Sequence, residues 1–245
     1  MRLTPINKSL QEIPIGLRKE PTFGHGEEPF WKSDYSTKDK LIVAGTTALG
    51  VAGSLATMAK SQGHKLEPKS FLKYLKNANF LFKEIVAIGI GTCLGGLAGG
   101  YIIDKNPQNR KAKRREAIMQ IGNITIPIGT VAVTNLLCDK LKVSKKQAKG
   151  QAIRTISCLG AIVGGIYLAN FTMNKLSNAI FKNKTEERDV KATDLAPHFD
   201  DVLASAKYVA PNSQAVHYIS RLVPFALMVA GNEVGNKKAA INTLS

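Results

Sequence analysis

The chain has 245 residues, 34 of them Lys or Arg against 18 Asp or Glu, and a formal net charge of +16. Three cysteines, odd in number and without C-x-x-C spacing, exclude a disulfide framework and a zinc module. The basic charge flanks apolar runs instead of sharing one face with aromatics, which argues against a nucleic-acid partner.

Four uncharged stretches, at 41–59, 85–103, 117–138 and 155–174, account for the apolar residues that a mean hydropathy of −0.06 conceals. At about 1.5 Å of rise per residue, each is long enough to cross a hydrocarbon core of roughly 30 Å as a helix. The linkers between them, 60–84, 104–116 and 139–154, carry six basic residues each. Such linkers suit anionic headgroups.

Residues 1–36 read as a mobile polar tail with Pro5, Pro14, Pro21 and Pro29 and no apolar core of a cleaved signal. The first stretch would then act as an uncleaved signal anchor in a plasma or inner membrane. Ser36 with Asp39 spells a capping box in front of it. Within it Ala44, Ala48, Ala52 and Ala56 repeat every four residues, a small-residue face on which helices associate in lipid.

In 68–83, Phe71, Leu72, Leu75, Ala78 and Phe82 share one side and Lys69, Lys73, Lys76 and Lys83 another. This predicts an amphipathic helix lying in the membrane interface, with Lys69, Lys73 and Lys76 among headgroups. Stretch 85–103 holds Gly89, Gly91, Gly95, Gly96, Gly99 and Gly100. In water each mid-helix glycine costs roughly 1 kcal/mol relative to alanine. Within a membrane span, Gly91, Gly95 and Gly99 instead form a packing face. Arg110, Lys111, Arg114 and Arg115 form the densest basic cluster and are assigned to headgroups.

Stretch 117–138 contains Asn123, Pro127 and Asn135. The proline frees a backbone carbonyl that a neighbour must satisfy. Residues 92–100 recur in outline at 157–165, which places Gly160 and Gly164 where Gly95 and Gly99 stand and suggests two parallel two-helix units. Beyond a polar connector, 215–232 is a fifth apolar segment interrupted by His217, Arg221 and Pro224. Its clean run of ten residues is too short to cross, so it is read as interfacial or packed against the bundle. His198, Asp200 and Asp201 read as a solvated helix start, with the acids at its N-terminus.

The sequence therefore predicts an all-α, multi-pass membrane protein: four Gly/Ala-rich transmembrane helices in a membrane domain 37–175, plus interfacial helices. A tail, 1–36, and a connector with a C-terminal helical region, 176–245, flank it. No nucleophile elbow, phosphate loop, dinucleotide fingerprint or metal spacing appears, so no catalytic residue, cofactor or metal is expected. The expected role is non-enzymatic, structural or membrane-organising, through small-residue packing, self-association and contact with anionic lipids. The alternatives are a small channel or transporter lined by Asn123, Pro127, Asn135 and Asn170, and a membrane-active protein with inserting hairpins. Consecutive basic linkers conflict over which side is cytoplasmic; the Arg110–Arg115 cluster and the missing signal tip the expectation to a cytoplasmic N-terminus.

Overall fold

A computed structural model of the protein describes residues 33–77, 80, 82–182, 188–190, 194, 195, 198 and 222–239. Residues 1–32 of the expected tail, His217, Arg221, Asp200 and Asp201 lie outside the described residues, as does the side chain of Lys76. Six helices and no strands are found among the described residues.

Helix α1 (Thr37–Ser61) starts where the capping box predicts: the Ser36 hydroxyl accepts from the Asp39 backbone N–H at 3.2 Å and donates to its carboxylate at 2.7 Å. It runs from the end where residues 33–36 and 237–239 lie, called the terminal end, to an opposite loop end. There the short α2 (Pro68–Asn77) folds back. Helix α3 (Phe82–Ile103) returns, α4 (Pro107–Lys140) goes out again, and α5 (Ala148–Phe181) comes back. Residues 104–116, read as a linker, are mostly the first three turns of α4: Asn106 caps it through Gln108 N–H at 2.8 Å, and Pro107 occupies the first turn. At 34 residues each, α4 and α5 measure about 51 Å and overreach an apolar core of roughly 30 Å.

The α1, α3, α4 and α5 helices are all long and apolar enough to cross a membrane. Their outer faces agree: Leu49 is 72% exposed, Ile156 69%, Leu136 63% and Phe171 58%. A water-soluble protein rarely shows so continuous an apolar surface. The interior, by contrast, buries Lys113, Glu116, Arg154, Arg188, Asp194, His198 and Glu233. Apolar outside and polar inside, the fold is compatible with a multi-pass membrane protein.

Helix α3 sits at the centre because glycines notch it on two faces. A Cβ at Gly91, Gly95 or Gly99 would overlap Ser54 and Gly50, the Thr46 carbonyl, or Thr46 and the Val43 backbone. That face receives α1 in antiparallel order. A Cβ at Gly96 or Gly100 would overlap the carbonyls of Gly231 and Gly235. Both belong to α6 (Val223–Asn236), which lies parallel to α3 in constant register, glycine against glycine. Of the two readings of the fifth segment, packing against the bundle holds for its described α-helical part, 223–232, and the interfacial one does not. Val223, Leu227, Ala230 and Val234 join a core with Val51, Leu55, Ile85, Ile88, Ile124 and Ile128.

Helix α2 docks Phe71 and Leu75 on the same core and buries Tyr74, so its apolar side caps the bundle. Its outer side presents Lys69, Lys73 and Leu72, the last 64% exposed.

Candidate functional site

The terminal end carries the densest polar arrangement. Lys113, Glu116, Gln120, Asn123 and Pro127 follow one another at helical spacing along α4, and all five are buried. They form a polar seam, of which Glu116 and Asn123 bond to Arg188, Asp194 and His198 and Lys113 to the end of the last helix. Arg188 is the hub. Its Nε donates to Glu116 Oε1 at 3.0 Å, and its two terminal nitrogens reach the Asp194 carboxylate at 2.7 and 2.5 Å. Gln120 donates to the same Glu116 oxygen at 2.9 Å, and Lys237 Nζ lies 4.0 Å from the other. Two carboxylates thus face two cations, the balance a buried ion pair needs. Burial alone would disfavour the charged guanidinium, but Glu116 and the bonds to Asp194 outweigh it and hold Arg188 protonated more firmly than in water. From α5, Asn174 brackets the Arg188 peptide, donating to its carbonyl and accepting from its N–H at 2.9 Å each.

Deeper along the seam, Pro127 denies the Asn123 carbonyl its helical partner. His198 supplies one, its Nε2 2.7 Å from that oxygen, while the Asn123 amide donates to the Asp194 carbonyl at 3.1 Å. His198 is fully buried, not the start of a solvated helix. The freed carbonyl was predictable, and its donor is the residue that the sequence assigned to water.

Toward the surface, Lys113 closes α6. Its ammonium donates to the carbonyls of Gly235 and Lys237 at 2.7 Å each and to the Tyr35 hydroxyl at 3.0 Å. A cation there also complements the negative end of α6. Tyr35 donates in turn to Asp104. Burial lowers the Lys113 pKa to about 8, Asp104 opposing that and Lys238 adding to it. Burial would raise Asp104, but bonds from Tyr35, Asn106 and Asn109 and the nearby Lys113 charge leave it below the usual carboxylate range. Tyr35 is pushed above the ordinary phenol value by burial and by Asp104.

The predicted residues separate by environment. Gly91, Gly95 and Gly99 lie in the α1–α3 crossing. Of the alanine stripe, Ala44 is half-buried, whereas Ala48 and Ala52 face outward. The inward side of α1 is instead Val43, Thr47, Val51, Leu55 and Met58. Gly160 and Gly164 also face outward with open space above them, and the glycines of α5 that pack are Gly165, against Pro127, and Gly150, against the Ser144 backbone. Lys69, Lys73, Lys111 and Arg114 are exposed. Arg115 is not: it is buried and donates to Asn178 on α5 at 3.0 Å. Arg110 is half-buried, stacked 5.0 Å over Tyr101 and donating to the carbonyls of Asp104 and Tyr101 that end α3. Asn135 donates to Val131 on its own helix, whereas Asn123 donates to the Asp194 carbonyl.

At the loop end, Arg154 is the counterpart of Arg188. Nearly fully buried, it donates to the Val143 carbonyl at 3.1 and 2.8 Å and to Asp139 at 2.6 Å, fixing the α4–α5 turn. No group of three metal-capable residues is found among the described residues. Chemically, the buried network is a charge-balanced clamp: its donors and acceptors are directed at one another and at helix ends. Comparison of the chain with family models, curated proteins and solved structures gives no match.

Proposed function

We propose that this protein is a non-enzymatic multi-pass membrane protein with a structural, membrane-organising role, seated in lipid through its apolar outer face and in contact with anionic headgroups through its exposed lysines. One observation carries the reading: the buried Glu116–Arg188–Asp194 cluster and the Arg154–Asp139 pair hold helices together, while the outer faces of the long helices are apolar and their ends rich in exposed lysines. Catalysis needs a reactive group with an open approach, and the Glu116–Arg188–Asp194 cluster is directed inward. A channel reading loses support because Asn123 and Asn135 point to different partners.

The proposed partners are bilayer lipids, preferably anionic, and a second copy packing on the outward Ala48 and Ala52. The proposed location is a plasma or inner membrane with a cytoplasmic N-terminus. Two measurements test this together. After expression the protein should resist carbonate extraction, and purified protein in liposomes should carry no ion flux above empty vesicles. Release by carbonate, or flux that disappears on Asn123→Leu, would overturn the proposal. Labelling of single cysteines placed in 104–106 and 141–147 from opposite sides tests the orientation.

A further inference from the structure

Between α4 and α5 a groove of about 560 Å³ opens on the outer face, lined by Ile126, Gly129, Thr130, Ala161, Gly164 and Leu168 among others. Its floor is made by absent side chains: a Cβ on Gly129 or Gly164 would meet nothing. Of the two hydroxyls in its lining, Thr130 is already engaged, donating to the carbonyls of Pro127 and Ala161 at 2.7 and 2.8 Å, and Thr134 stands one turn nearer Lys140. A groove lined almost wholly by apolar and glycine residues, facing lipid, takes a hydrocarbon chain.

What stands above it identifies the rest of the ligand. The turn joining α4 to α5 spans the same seam, and Lys140, Lys142, Lys145, Lys146 and Lys149 are all exposed in the eleven residues 139–149, with Asp139, paired to Lys145, the acid among them. From Thr130 to Lys140 is ten residues of helix, about 15 Å, which matches the depth of one leaflet's hydrocarbon in a core of roughly 30 Å. A chain lying in the groove therefore brings its headgroup level with the lysines. Arg154, buried under the turn and bonded to Val143 and Asp139, holds that turn in place without adding to its exposed charge.

We infer that the α4–α5 seam is a site for one anionic phospholipid, an acyl chain in the groove and its phosphate among the loop lysines. The site rests on the membrane reading above and narrows it to a specific lipid contact. An adjoining second copy would use the same open glycines but would set its own lysine-rich turn against this one, so charge favours the lipid.

The test is native mass spectrometry of the full-length protein released from nanodiscs of equal phosphatidylglycerol and phosphatidylcholine. Wild type should retain one phosphatidylglycerol preferentially. Gly129→Leu with Gly164→Leu fills the groove without touching the fold and should lower that retention about tenfold, as should the charge reversal Lys146→Glu with Lys149→Glu. Gly53→Leu, equally open but on α1, should retain the lipid. Equal retention in wild type and the groove variant overturns the site, as does equal retention of the two lipids. A dimer in wild type that the groove variant dissolves would assign the groove to a second copy instead. Failure of the membrane reading is distinguishable: wild type and Gly53→Leu alike would then leave the membrane under carbonate.

Discussion

The two halves of the bundle solve one problem in different ways. In α1, α3 and α6, helices meet backbone to backbone: Gly50 against Gly91, Gly96 against Gly231, Gly100 against Gly235. In α4 and α5 the same letters recur at 157–165, yet Gly160 and Gly164 look outward, and polar contacts join the helices: Arg115 to Asn178, Asp139 to Arg154, and Asn174 through Arg188 to Glu116. Lipid does not press helices together, so either close van der Waals approach or buried polar contact must do it. Helix α3 has neighbours on two faces and needs glycine on both. The α4–α5 pair has one mutual interface and a polar strap, so half of its glycines, Gly129, Gly160 and Gly164, are left outside. A shared motif is therefore not a shared role, and the apparent duplication is not a duplication of packing.

The comparison is broken most directly at α3. Gly96→Leu drives a side chain into the Gly231 carbonyl, a backbone atom that cannot swing away. Its cost should exceed about 3 kcal/mol, the upper range for overpacking, and appear as loss of the folded monomer in detergent size exclusion. In the polar half the equivalent blow is Asp194→Ala, which leaves Arg188 buried with Glu116 as its remaining carboxylate. Removing one member of a buried pair costs about 3 kcal/mol or more. Reversible unfolding in denaturing detergent should show it, and an unchanged midpoint would mean that segment 188–198 is not docked as described.

A finer test lies where the proline meets the strap. His198→Ala strands the Asn123 carbonyl and should cost about 1 to 3 kcal/mol. Pro127→Ala restores the helical N–H to that carbonyl, so His198→Ala should cost markedly less in its presence. A double-mutant cycle with coupling near zero would refute the pairing.

Much of this was readable from residues alone, and the failures share a cause. Lipid as solvent followed from stretch length and from six glycines in 85–103, and the cap at Ser36 from its local spelling. The polar seam was also spelled out, since Lys113, Glu116, Gln120, Asn123 and Pro127 keep helical spacing, but a border drawn at Ala117 between linker and span cut it in two. Gly231 and Gly235 form the same G-x-x-x-G as α3, yet their segment was set aside as too short to cross. Short helices can be buried between long ones, and a length criterion cannot see that. Arg188, Asp194 and His198 carried no periodic signal because they lie on a segment whose position depends wholly on tertiary partners. The alanine stripe of α1 misled because alanine tolerates either environment.

Where the halves join, Lys113 offers a titration. Its folded pKa of about 8 lies below the free-lysine value of 10.5. Below pH 8 the ammonium is charged in both states and adds no pH dependence. Between about 8 and 10 the unfolded chain keeps a proton that the folded protein has released, so stability rises with pH. Tyr35, raised in the folded state, opposes this only above its unfolded value near 10. Wild type should therefore gain thermal stability from pH 8 to 10 relative to Lys113→Met, whose curve lacks that rise. Parallel curves would show that Lys113 is not buried at the α6 terminus.

The smallest effect should fall on the glycine that the comparison treats as idle. A Cβ at Gly160 meets nothing, and the residue sits mid-helix on the outer face of α5. Gly160→Ala removes the backbone freedom of glycine from the unfolded state and adds no contact, so it should stabilise by at most about 1 kcal/mol. The aligned change at the inner face, Gly95→Ala, meets the Thr46 carbonyl and should destabilise. Opposite signs from the same substitution at aligned positions would separate spelling from surroundings. A destabilising Gly160→Ala would instead mean that α5 is covered by another helix there.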